Sequence, residues 1–530
     1  METVLRCSGL GGVRVAATMT LRAARTWLRL AWVSVTLCLL VLSTALTRGS
    51  ASIASAPAKA PRPPNFLLVL VDDQAQNSFK RAYMPRTFEQ IVARGTRFTN
   101  GLAAPPLCCP DRAGILTGQY PHNHGVFSNR PGYGDLRDRG DTLPVWLNRA
   151  GYRTGLIGKF LNGYPAAAGA HPAPGFDRWF SYLSPISYYR YRMSDNGTPR
   201  LYGRRRHDYS TDVFTRKAVS FLRQSSRTPS QPFFLWLAYN APHRSGSSLG
   251  PCKSPGSADP PDRAALRAFN DVPLPRPASF NERDVSDKPA RIRSLPRLNA
   301  RAVRNIKRNW HCTLGTVSQL DNGVGRVMAE LKRDRALRNT IVIFMSDNGY
   351  FFGEHRRRAG KGDVYEPALN VPFAIRVPAA YRRGARKSRI ATVVTNQDVA
   401  PTLLDYASRY VDSVQPCATA TDCRRIDGRS LIPLLDGQGG WPRDRGVLVE
   451  INEDELGYRA VRTRRYAYSS LATGERELYD LKRDPAELRN VHGRRGYAVV
   501  EQRLAARLAL LRECSGIKGR NTPTAAPFCE

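Results

Sequence analysis

Four apolar runs in the chain stop abruptly at polar or charged residues: "NFLLVLVDD" from Asn65, "YRTGLIGKF" from Tyr152, "PFFLWLAYNAPH" from Pro232 and "TIVIFMSDNG" from Thr340. Each is continuous rather than alternating, which predicts strands buried on both faces, as in a parallel sheet. Between them, "DTLPVWLNRAG" and "TVSQLDNGVGRVMAELKRD" space their apolar residues at a helical period. The alternation predicts an α/β sheet covered by helices. In such sheets ligands gather beyond the carboxyl ends of the strands, where all four polar endings fall. From about Gly446 the pattern changes to "VLVEI", "YRAVRT", "YAYSS" and "ELYDL", short runs that predict a small antiparallel sheet as a second domain. Residues 250–300 are rich in proline and arginine and lack periodicity, which predicts a long loop over the rim of the large sheet.

The start of the chain bears on where the protein works. Arginines precede an apolar run from Ala31 to Leu46, followed by small residues and prolines, the pattern of a signal peptide cleaved after Ala51 or Ala56, with Met19 as an alternative start. The competing reading is a retained signal anchor, for which the run is short. No later run is apolar enough to span a bilayer, so the mature protein is expected to be secreted or held at the cell surface. An oxidising destination makes disulfides expected among Cys252, Cys312, Cys417, Cys423, Cys514 and Cys529. Nearest-neighbour pairing would join them in that order, although sequence alone leaves every connectivity open.

Charge adds a partner class. The formal net charge is +37, of which +32 lies beyond residue 55, and only 12 of the 81 basic residues are lysine. Guanidinium forks suit sulfate, phosphate and carboxylate oxygens. On charge alone, a solvated surface and a nucleic-acid partner both remain open.

Asp72 and Asp73 end the first run, and Asp347 and Asn348 end the last. If those strands are neighbours, carboxylates and an amide converge, a donor set suited to a hard cation such as Ca²⁺ or Mg²⁺ rather than zinc. Taken singly, "VDDQ" also reads as a helix cap and "SDNG" as a turn.

Residues 105–125, "PPLCCPDRAGILTGQYPHNHG", place Cys108, Pro110 and Arg112 in the spacing Cys-x-Pro-x-Arg, followed by Leu-Thr-Gly. This resembles the signature of the formylglycine-dependent sulfatases. The resemblance continues through "GYRTGLIGKFLNGY", "APH", "SDNG", "GKGDVYE", "DVAPTLLDYA" and "ELYDLKRDPAELRNV", in family order from about Asn65 to Val491. It implies an alkaline-phosphatase-like large mixed sheet flanked by helices with a smaller C-terminal antiparallel-sheet domain. The segments would be a signal peptide and linker over 1–56, a catalytic domain over 65–435 and a C-terminal subdomain over 440–530.

The same resemblance implies that Cys108 is oxidised to formylglycine by a formylglycine-generating enzyme acting on residues 108–112, with Cys109 an ordinary neighbour. It implies Ca²⁺ held by Asp72, Asp73, Asp347, Asn348 and the modified Cys108, with Mg²⁺ as the alternative. Arg112, Lys159, His243 and Lys361 would bind sulfate or assist the leaving group. His122, His124 and His355 are weaker candidates, structural or at the rim. The forms "GKFLN", "CCP" and "PHNHG" look most like N-acetylglucosamine-6-sulfatases and heparan-sulfate endosulfatases.

Two departures stand out. Phe160 and Leu161 follow Lys159 where many arylsulfatases have Lys-x-His, so Asn162 is the candidate to stand in for the missing histidine. Asp111 replaces the usual serine or alanine and is expected to add a carboxylate beside the nucleophile. The resulting expectation is an exported sulfatase acting on a sulfated glycan or a small sulfate ester, without nucleic acid as partner. An aryl or alkyl sulfatase, a phosphonate or phosphodiester hydrolase, and an inactive polyanion-binding protein are the rival readings.

Overall fold

A computed structural model describes residues 62–530 apart from 246–251, 253–257, 413, 417–422, 443 and 453–456. The expected leader and Cys417 fall outside the described residues. Ten strands form one sheet: β1 (Asn65–Val71), β2 (Thr96–Leu102), β3 (Arg153–Gly158), β4 (Arg178–Ser184), β5 (Tyr191–Asp195), β6 (Thr198–Tyr202), β7 (Phe233–Ala238), β8 (Thr340–Ser346), β9 (Phe373–Arg376) and β10 (Arg389–Thr395). Their order is β10-β2-β9-β8-β1-β7-β3-β4-β5-β6.

The four apolar runs read from the sequence are β1, β3, β7 and β8, and they lie side by side and parallel at the centre. Both faces of β1 are covered, as a continuous apolar run requires. Phe66, Leu68 and Leu70 enter one core cluster, and Leu67, Val69 and Val71 the other. Antiparallel strands flank this centre, which makes the sheet mixed. The β5–β6 hairpin turns at Asn196–Gly197, both with positive φ, as tight two-residue hairpins demand.

The longer helices are α1 (Cys108–Thr117), α2 (Ser210–Ser225), α3 (Ala300–Arg333), α4 (Val399–Ser408) and α5 (Ala498–Leu511). The helical period read from Thr316 onward belongs to α3, which starts 16 residues earlier, at Ala300, with Asn299 capping the amide of Ala302 at 2.9 Å. Before it, the expected long loop contains only two short helical turns among its described residues, Arg263–Arg267 and Ala290–Arg293. That loop is stapled to α3 by the Cys252–Cys312 disulfide.

The predicted small sheet is β11 (Val447–Ile451), β12 (Tyr458–Arg462), β13 (Tyr466–Leu471) and β14 (Arg476–Asp480), antiparallel throughout. Its apolar face and α5 share a core cluster with Leu102, Tyr120 and Val393 of the large-sheet region. Cys514 bonds to Cys529, and Cys423 is also disulfide-bonded. Cys108 and Cys109 are free and buried. Among the described residues no helix is long and apolar enough to cross a membrane.

Candidate active site

The register of β1 against β8 sets Val71 opposite Ser346, and the Asp347 amide donates to the Val71 carbonyl at 3.1 Å. Asp72 and Asp347 therefore leave the sheet at the same edge, though 275 residues apart. Asp73 adopts a left-handed φ of 65°, a conformation aspartate tolerates better than most side chains. That turn breaks strand alternation and brings both carboxylates to one site. Ligand atoms of Asp72, Asp73, Cys108 and His243 all lie within 4.8 Å of one another. Asn348 Nδ2 donates to Asp73 Oδ1 at 2.6 Å, which leaves Asn348 Oδ1 buried without a hydrogen-bond partner.

Cys108 opens α1. Its thiol lies 3.3 Å from Asp72 Oδ1, and Lys361 Nζ donates to its sulfur at 2.8 Å. Arg112, one turn later on the same helix face, is fully buried. Its Nε donates to Asp347 Oδ2 at 2.7 Å, Nη1 donates to the Lys159 carbonyl at 2.5 Å, and Nη2 stands 3.5 Å from Asp72 Oδ2. Lys159, at the end of β3, pairs with Asp72 through its ammonium, and Lys361 pairs with Asp73. His243 Nδ1 donates to the Arg244 carbonyl at 2.7 Å, so Nε2 faces Asp73 Oδ2 at 3.7 Å with its lone pair free. All nine residues expected from the sequence thus meet in one cluster.

Burial opposes every charge here, and the neighbours decide the outcome. Desolvation pushes the Asp72 carboxyl up, but Lys159, His243, Lys361 and Arg112 together hold it well below its usual range. Burial and the Asp72 charge raise Asp347 to about 6, despite Arg112. Burial lowers His243 to about 4, and it is neutral near pH 7. The Cys108 thiol is pushed up by burial and by Asp72. Three carboxylates crowded into one buried site, one of them driven toward protonation, together with an unpartnered amide oxygen, fit a hard oxygen-seeking cation.

The remaining candidates separate. Asp111 is fully buried, and Asn396 Nδ2 donates to its Oδ2 at 2.6 Å. Burial, with the Asp347 charge, pushes its carboxyl well above the usual range, against the hydrogen bond from Asn396. The Asn162 carbonyl accepts from the Tyr133 amide at 2.8 Å, and its side-chain oxygen has no hydrogen-bond partner. His122 ties Glu450 to the Cys514 carbonyl at 2.6 and 2.8 Å, a structural seam. His124 Nδ1 accepts from the Val126 amide at 3.1 Å. His355 is buried against Tyr365 and bonded to Glu282 at 2.7 Å rather than exposed at a rim.

Beside Asp73 lies a small cavity of about 10 Å³, lined by Arg244, Asn309, Thr313, Tyr350 and Phe352. None of these stands out in the sequence. The signal available for Arg244 is its place after "APH"; Asn309 and Thr313 arrive on α3 with no local mark.

Comparisons with known proteins agree with this geometry. The family profile described as Sulfatase matches residues 64–409, and that of the C-terminal part of N-sulphoglucosamine sulphohydrolase matches 353–514. An arylsulfatase of Volvox carteri is 33% identical over 86% of this chain and 75% of its own. Human N-acetylglucosamine-6-sulfatase is 31% identical over 73% of this chain and 67% of its own. The solved structure of BT4656 with D-glucosamine-2-N,6-O-disulfate is similar with a TM-score of 0.68 and 25% identity, covering 84% of this chain and 97% of that one. With a Cys-x-Pro-x-Arg helix start held against paired strand-end carboxylates, and a family match over most of its length, this chain belongs to the sulfatases and is a hydrolase of sulfate esters.

Proposed function

We propose that the protein is an exported sulfatase that removes 6-sulfate groups of the N-acetylglucosamine type from sulfated glycans, using formylglycine made from Cys108 and a bound Ca²⁺. The observation that carries this reading is the position of Cys108 Sγ, 2.8 Å from Lys361 Nζ and 3.3 Å from Asp72 Oδ1 at the start of the helix that also carries Arg112. Similarity to the N-acetylglucosamine-6-sulfatases supports the substrate class. Residues 65–435 carry the reaction, residues 440–530 form the subdomain that packs beside it, and residues 1–56 direct export.

Asp72, Asp73, Asp347, Asn348 and the modified Cys108 would hold the cation. The hydrated aldehyde would supply two hydroxyls on one carbon, one to attack sulfur and one to expel sulfate as the aldehyde re-forms. The chain's own groups do the rest. Lys159 and Lys361 neutralise sulfuryl oxygens, charge stabilisation by groups already in place. Arg112, locked by Asp347 and the Lys159 carbonyl, keeps α1 aimed at the site. His243, oriented by the Arg244 carbonyl, presents an unprotonated Nε2 toward the ester, where it would take the proton given up by the attacking hydroxyl and pass it to the departing alcohol.

The test is turnover of a panel: N-acetylglucosamine 6-sulfate, 2-O- and N-sulfated saccharides, an aryl sulfate and a phosphonate ester. The 6-sulfated sugar should have the highest kcat/KM. Preference for the aryl sulfate or the phosphonate would replace the glycan reading.

A further inference from the structure

A large cavity in the C-terminal subdomain shares no residue with the catalytic cluster. It holds about 760 Å³ and lies between the β12–β13 turn, the segment after β14 and α5, with Asn100 of β2 at its edge. Five cationic side chains line it, Arg464, Arg465, Lys482, Arg503 and Arg507, against the single carboxylate of Asp444. Two of the five are committed. Arg465 forms a fork on Asp480 at 3.0 and 2.7 Å, and Arg507 donates to the Asp444 carbonyl at 2.8 Å. Arg464, Lys482 and Arg503 are exposed, and among the described residues their charged groups have no acidic partner.

The cavity is held in shape. Thr463 closes the β12–β13 turn on Tyr466 through three hydrogen bonds: its amide and its hydroxyl donate to the Tyr466 carbonyl at 2.8 and 3.2 Å, and the Tyr466 amide donates to its hydroxyl at 2.9 Å. That turn places Arg464 at the tip, while Arg465 lies 4.9 Å over the Tyr466 ring. Tyr466 and the buried Leu504 give an apolar floor. Unpaired guanidinium forks around an apolar floor suit a ligand that is anionic at its edge and apolar on its face, which describes a sulfated sugar ring better than a bare phosphate chain.

We infer that this cavity is a second binding site, an exosite that holds a sulfated oligosaccharide segment of the polymer while another residue of the chain occupies the catalytic site. The choice of a sulfated chain rests on the proposed glycan sulfatase activity; the existence of an anion site does not. Uncompensated cations in a concave site raise local concentration of a polyanion and fix its register, with little effect on a small monoanion.

The experiment compares the full chain with an Arg464→Gln/Lys482→Gln/Arg503→Gln variant, both in a Cys108→Ala background so that the probe is not consumed. The probe is a heparin-derived hexasaccharide, with a thymidine oligonucleotide of matched charge as control. The variant should bind the hexasaccharide about tenfold more weakly at about 0.1 M salt, with a shallower salt dependence. With Cys108 intact, it should turn over monosulfated glucosamine as the parent does. Unchanged hexasaccharide affinity overturns the site. Oligonucleotide binding as tight as the hexasaccharide, and equally weakened, overturns the sulfated sugar as its ligand. Should the triple variant lose thermal stability, Arg464→Gln alone must still weaken hexasaccharide binding. Hexasaccharide binding without sulfatase turnover would refute the proposed function and leave the exosite standing.

Discussion

Arg112 Nε lies 2.7 Å from Asp347 Oδ2, and both side chains are fully buried. This pair ties the helix that begins at Cys108 to the end of β8. Removing one partner leaves the other charge buried and alone, so Arg112→Ala should destabilise the fold by about 3–5 kcal/mol and abolish turnover. Chemical denaturation followed by circular dichroism reads the first effect. A stable, active Arg112→Ala protein would mean the pair neither holds α1 nor serves the reaction.

The adjacent cysteines should behave differently. Cys108→Ala should eliminate turnover, whereas Cys109→Ala should keep it and lose about 1–2 kcal/mol of packing. Mass spectrometry of the peptide 98–112 after thiol alkylation should find an aldehyde at Cys108 and an alkylated thiol at Cys109, whose pKa burial raises to about 12. An intact thiol at position 108 in fully active protein would refute the assignment.

The crowded carboxylates of Asp72, Asp73 and Asp347 predict that a divalent cation binds the folded state. Chelation should remove activity and lower Tm, and Ca²⁺ or Mg²⁺ should restore both; ligand at about 100 times its Kd adds about 2.7 kcal/mol. Asp72→Asn should lose most of that Tm response. Activity that depends on stoichiometric zinc would contradict the oxygen donor set.

His122 predicts a pH dependence of stability. Burial works to lower its pKa, but the hydrogen bond and charge of Glu450, with help from the Cys514 carbonyl, raise it above the usual 6.5. A raised folded pKa means the protonated ring favours the folded state. That contribution is complete below about pH 6.5 and is lost as pH rises through the higher folded value. Tm should therefore fall above about pH 6.5 more steeply in the parent than in His122→Gln. Parallel profiles would show that this seam does not titrate.

Much of this protein is written in consecutive residues. The buried centre of the large sheet is legible because β1, β3, β7 and β8 need unbroken apolar runs, and the site is legible because Asp72, Asp73, Asp347 and Asn348 end two of them. Cys108 and Arg112 are legible because the motif Cys-x-Pro-x-Arg that holds them resembles the sulfatase signature. Such signals are local: periodicity, spacing and abrupt changes of polarity survive in a one-dimensional string.

Tertiary structure alone decided the rest. The β5–β6 hairpin and the first four turns of α3 escape the sequence because the hairpin is short and the start of α3 is basic and weakly patterned. The small cavity beside Asp73 is completed by Asn309 and Thr313, which only the packing of α3 brings there. Asp111 reads as an ordinary carboxylate in the string, but in the fold its carboxyl is pushed well above the usual range, because desolvation outweighs the hydrogen bond from Asn396. His122 looks like a candidate for chemistry until Glu450 and Cys514 meet it from the small sheet and the C-terminal segment. In each case the deciding term is the environment, low dielectric or a partner hundreds of residues away, and that exists only once the chain has closed on itself.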